Sequence, residues 1–129
     1  MWSATPWLFD RDPRLYVEDM LEFCQRAREY AAGKSLDALL ADRMRYDAIL
    51  RNLDLIGEAS THVQAHHEAI APDVPWRLVI GTRNRLAHAC LGIAAETVFN
   101  ISHHDLPALE LALKRLIAAL LPPPPPPVP

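Results

Sequence analysis

Along most of the chain apolar residues return every three or four positions, the period of a helix with one buried face. The first run follows Asp12-Pro13, where an aspartate can cap a helix and a proline fits its first position. From there Tyr16, Met20, Phe23, Ala27 and Tyr30 form one apolar stripe, and Gly33 supplies a C-terminal stop. Ser35 can cap a short piece, Leu36 to Ala41, and after a bend Asp42 can start a longer helix that runs to about His67. On that helix Ile49, Leu53, Ile56 and Ser60 share a face, widened by Leu50 and Leu55. Gly57 sits mid-helix, where it costs roughly 1 kcal/mol against alanine. Its presence suggests the close approach of another helix, at an interface.

Pro72 and Pro75 break the pattern, and Pro75 is placed to open a further helix through Trp76, Val79, Ile80 and Leu86. That helix should fray near Cys90 to Gly92. Helix resumes from Ala95 to about His103, with Val98 and Phe99 toward the core, and Asp105 is expected to cap the last helix. There Leu106, Leu109, Leu113, Leu116, Ile117 and Leu120 give a clear apolar face, and Lys114 and Arg115 are expected to favour the C-terminal end through the helix dipole. The pattern divides the chain into an apolar arm, residues 1–11, a helical domain, 12–121, and a proline-rich tail, 122–129, which should extend as polyproline II.

Composition fits this reading. With 129 residues, 4 of them glycine, and little β-branched or aromatic enrichment, the chain is expected to be one all-α domain. A net charge of -3 gives no overall field to gather nucleic acid, so any RNA contact must be local. The 2 cysteines, Cys24 and Cys90, are far apart and suggest neither a disulfide framework nor a zinc site. No basic flank precedes an apolar core at the N-terminus, and no run approaches a membrane span, so a cytoplasmic protein without membrane contact is expected.

One stretch gathers groups suited to a phosphate: Arg83-Asn84-Arg85-Leu86-Ala87-His88. Guanidinium forks match phosphate oxygens, and an imidazole takes and returns a proton near neutral pH. On a regular helix Asn84 and His88 share a face, so the amide could fix the tautomer of the imidazole. Arg83 and His88 are five apart and do not align on a straight helix. Either the helix loosens near His88 or two protomers share the active surface. The reaction that suits the set is attack of an RNA 2′-hydroxyl on the adjacent phosphate, with His88 as general acid or base and Arg83 stabilising the phosphoryl charge. It requires no metal and no cofactor, because the nucleophile belongs to the substrate. The plainer alternative is that these are solvated charges and a helix-end histidine.

Asp12-Pro13-Arg14-Leu15, Asp42-Arg43-Met44, Arg51-Asn52-Leu53, Ile56-Gly57-Glu58-Ala59, Pro75-Trp76, Ile80-Gly81, the Arg83 to His88 stretch and Asp105-Leu106-Pro107 form an ordered series. In that series the chain resembles the HepT family of HEPN toxins, from Asp12 to Leu120. The resemblance implies a HEPN-type bundle of four to five helices that dimerises through helices, with the Arg-x4-His motifs of both protomers lining one cleft. It implies a homodimeric, metal-independent ribonuclease toxin that cleaves RNA, and an antitoxin partner of the minimal nucleotidyltransferase, or MNT, type. Many relatives carry a tyrosine two residues after the motif histidine, to which the antitoxin attaches AMP; here that position is Cys90. Occlusion by a bound partner then becomes the expected mode of silencing.

The different-class alternative is a non-catalytic HEPN module that binds nucleotide or RNA, or only docks a nucleotidyltransferase. Other candidates carry less. His62 and His66 have a metal-compatible spacing but lack a well-spaced third ligand, and a solvated helix end is the expected reading. His103 and His104 read as turn residues. Glu58 could position Arg83 or serve as an ordinary ion-pair partner, and Cys90 could be a small apolar residue or a reactive thiol.

Overall fold

A computed structural model describes residues 13–67, 95–120 and 127–128. Every element among them is helical, with no strand. Helix α1 spans Pro13–Ala31, α2 Leu36–Ala41 and α3 Arg43–His67. Helix α4, Ala95–Asn100, passes through a π-helical turn, Ile101–Asp105, directly into α5, Leu106–Leu120. The result is an all-α bundle in which α1 packs along both α3 and α5, while α2 rests on α3 and α4.

The boundaries have local causes. Gly33 adopts φ 70°, left-handed backbone that a residue with a Cβ enters at a cost, and Lys34 N–H bonds the Ala31 carbonyl at 3.1 Å. The Ser35 hydroxyl accepts the Ala38 N–H at 3.1 Å, which caps α2. Asp42 Oδ1 accepts the Arg45 N–H at 3.2 Å and caps α3, and Arg45 Nη1 reaches back to the Tyr30 carbonyl at 3.0 Å. Both caps and the bend between α2 and α3 agree with the sequence reading.

The core is one cluster drawn from α1, α2, α3, α4, the π turn and α5. On α1 the centre of the buried stripe is Val17, Met20, Cys24, Ala27 and Ala31. Tyr16, Phe23 and Tyr30 lie at its margins, so the expected stripe is rotated slightly from the observed one. On α3, Ile49, Leu53, Ile56 and Ser60 are all buried as expected, and Gly57 is buried with them.

Two expectations for the C-terminal half require correction. Asp105 does not cap α5, because the backbone never leaves the helical region there: the Leu106 N–H bonds the Ile101 carbonyl, five residues back. The physical reason is Pro107. It offers no N–H and its ring crowds the carbonyl four residues earlier, so the regular ladder cannot pass, and a wider turn carries the chain across. Lys114 and Arg115 do not serve the C-terminal dipole, because α5 continues to Leu120 and the effect is confined to the last turn. The helix expected from Pro75, the arm at residues 1–11 and most of the proline tail lie outside the described residues; Pro127 and Val128 are exposed and irregular.

Candidate functional site

Arg83, Asn84 and His88, together with Arg85 and Cys90, lie outside the described residues. The described helices bracket them in sequence: α3 ends at His67 and α4 begins at Ala95. Residues of the ordered motif series that are described fall into structural places. Asp42 caps α3 and pairs with Arg45 Nε at 3.2 Å; its backbone and side-chain bonds with Arg45 hold the carboxyl below its ordinary value. Arg51 pairs with Asp54 at 3.2 Å on the exposed side of α3. Asn52 is buried, and its amide donates to the Ala48 carbonyl at 2.8 Å. Glu58 is exposed. His62 stacks face to face on Tyr16, 4.5 Å between ring centroids and 7° from parallel, which ties α3 to α1. No group of three metal-ligating side chains occurs among the described residues.

The described part of the molecule does contain one polar cleft that the sequence reading missed. Its volume is about 320 Å³, and it lies between the C-terminal half of α1 and the π turn, with Gln25, Arg28 and Glu29 on one wall and Ser102 and His103 on the other. Ala32, Pro107 and Glu110 complete it. Glu110 organises the charges: one carboxylate oxygen accepts from Arg28 Nη1 at 2.8 Å and the other pairs with Lys114 Nζ at 3.0 Å. Burial acts to raise the Glu110 carboxyl, yet the bonds from Lys114 and Arg28 outweigh it and leave the group below the ordinary carboxylate value. Behind this pair Cys24 Sγ donates to the Leu106 carbonyl at 3.3 Å, and burial, aided by the negative charge of Glu110, pushes its thiol up to about 12. Cys24 is therefore a packing residue and not a nucleophile.

The π turn sets the opposite wall. His103 packs on Phe99 with centroids 4.3 Å apart, and the buried His103 Nε2 and Ser102 Oγ have no hydrogen-bond partner among the described residues. Buried polar atoms left unmatched are uncommon, and π turns recur at functional sites. His103 and His104 were expected in a turn, but not in a helical one that faces a cleft. The signal available in the sequence was Pro107, placed inside an otherwise continuous helical period.

Comparison with known proteins places the chain. The family model described as "Ribonuclease HepT-like" matches residues 20–116. A Thermococcus cleftensis protein named as a probable ribonuclease HepT is 28% identical over 100 residues, 78% of this chain and 91% of its own length. Methanocaldococcus jannaschii has a protein named provisionally as an RNase that is 29% identical over 100 residues, 78% of this chain and 92% of its own. A third relative, from Caldanaerobacter subterraneus subsp. tengcongensis and also provisionally named as an RNase, is 27% identical over 107 residues, covering 83% of this chain and 96% of its own. No solved structure matches significantly. With a match that runs from α1 to α5 over an all-α bundle, the chain belongs to the HepT-like ribonuclease family.

Proposed function

We propose that the chain is a metal-independent endoribonuclease and the toxin of a toxin–antitoxin pair, acting as a homodimer. The observation that carries this reading is the extent of the family match, residues 20–116, which takes in the whole Arg83 to His88 stretch. Relatives named as ribonucleases that align over most of both chains support the same activity.

In this reading an imidazole of His88 removes the proton of a 2′-hydroxyl, whose oxygen attacks the adjacent phosphorus. The bond to the 5′-oxygen breaks, and an imidazolium returns a proton to that leaving oxygen. Arg83 stabilises the charge on the phosphoryl oxygens, and Asn84 holds the imidazole in one tautomer. Two protomers that present their motifs to one cleft supply a base and an acid together, which answers the five-residue offset between Arg83 and His88. The products are a 2′,3′-cyclic phosphate and a 5′-hydroxyl end.

The partner is an MNT-type nucleotidyltransferase that silences the toxin by covering its cleft, since Cys90 stands where relatives carry the modified tyrosine. Purified protein in EDTA should generate cyclic phosphate ends from RNA, and His88→Ala and Arg83→Ala should each lower the rate about 100-fold or more while the oligomer persists. Variants as active as the parent would overturn the assignment. Intact RNA with the parent protein, together with stable binding of the nucleotidyltransferase, would instead favour the non-catalytic docking module.

A further inference from the structure

The cleft between α1 and the π turn has the size and chemistry of a base-reading subsite, and we propose that it holds one unpaired guanine of the RNA. This rests on the ribonuclease reading for the identity of the polymer, though not for the fit of the base. At about 320 Å³ the cleft falls at the small end of ligand pockets, which suits a nucleoside better than a larger ligand.

Its charges select the ligand. Arg28 donates to Glu110, whose second oxygen pairs with Lys114, so the guanidinium is drawn to the Glu110 side of the cleft before any ligand arrives. Guanidinium and imidazole planes are among the surfaces on which extruded bases stack in single-stranded RNA recognition. His103, held against Phe99 at 4.3 Å, supplies the imidazole across the cleft. Glu29 and Gln25 are both exposed and lie four apart on α1, so they project from the same face, roughly 5–6 Å apart at Cβ. A carboxylate accepts two parallel N–H donors, the pattern of guanine N1–H and N2–H, and the neighbouring amide can donate to guanine O6. A phosphate is disfavoured there, because Glu29 and Glu110 line the cleft with two carboxylates and Glu110 already engages Arg28. Adenine and uracil do not present two adjacent donors, and cytosine presents only one amino group.

Binding is measured with the full-length His88→Ala chain, so that RNA stays intact, and with unstructured uridine heptamers whose central base is G, A, C or U. The G heptamer should bind about tenfold tighter than the others. Glu29→Gln should reduce that preference to about twofold or less, and Gln25→Ala should weaken it, with helical content and thermal unfolding unchanged because both side chains are exposed. Equal affinity for the four heptamers, no binding of any, or a preference that survives Glu29→Gln overturns the proposal. The two readings fail separately: cleavage without base preference removes the subsite and leaves the ribonuclease, whereas guanine preference in a parent chain that cuts no RNA removes the ribonuclease and leaves the subsite.

Discussion

At the scale of single residues, Cys24 illustrates what position does to a functional group. Cys24 is completely buried, donates to the Leu106 carbonyl and has its thiol pushed up to about 12 by burial first and by the charge of Glu110 second. At neutral pH it holds almost no thiolate. Folded protein treated with a thiol reagent should therefore show no adduct on the Cys24 peptide by mass spectrometry, and the adduct should form quickly once urea is added. Fast modification of Cys24 in the folded protein would contradict its burial. Nothing in the sequence marks this depth of burial, because a cysteine on an apolar stripe looks the same whether it lies at the margin of the core or at its centre. The same limit explains why Val17, Cys24 and Ala31 were not singled out on α1: the helical period gives the face, and only packing against α3 and α5 decides which line of that face is deepest.

Elements were most legible where a side chain bonds its own backbone. Ser35 and Asp42 cap α2 and α3 as expected, since an oxygen two or three residues before unpaired N–H groups meets a local need. Gly33 belongs with them. Gly33→Ala puts a Cβ on backbone at φ 70° with nothing within 4 Å to clash, so its effect is purely conformational. It should lower unfolding free energy by about 1 kcal/mol in urea titrations. A loss within error would mean that the turn between α1 and α2 shifts freely. The passage from α4 to α5 was misread because Asp105 resembles a cap by composition, while the decisive residue, Pro107, acts on a carbonyl four positions back. The cleft between α1 and the π turn was invisible for a related reason: Gln25, Glu29 and His103 are brought together by the packing of α1 on the π turn, across a sequence separation that no local pattern spans. The Arg83 to His88 stretch drew attention because its groups lie close together in sequence, and it lies outside the described residues.

At the scale of the whole molecule, α1 is the helix on which both α3 and α5 pack, and Glu110 joins it to α5. The carboxyl of Glu110 is lowered in the folded state, so its stabilising contribution is fully present above the ordinary carboxylate value and is lost as pH falls through the depressed folded value. Glu110→Gln should accordingly be less stable than the parent at neutral pH, with the gap between their urea midpoints closing as pH is lowered from about 7 toward 3. A gap that stays constant with pH would show that the side chain contributes by packing alone. No described helix is long and apolar enough to cross a membrane.

The links that close the bundle, Cys24 to Leu106 and Arg28 to Glu110, each join residues 82 positions apart. Helices α1 to α3 leave the ribosome long before α5, since synthesis proceeds at about 5–20 residues per second and earlier segments fold first. During that interval α5 is not there to cover its face of α1, and the wall of the cleft formed by the π turn does not yet exist. A nascent chain is thus an incomplete bundle until α5 has been made. For a protein proposed to cut RNA, translation itself thus delays completion of the bundle until α5 has been made and can dock on α1.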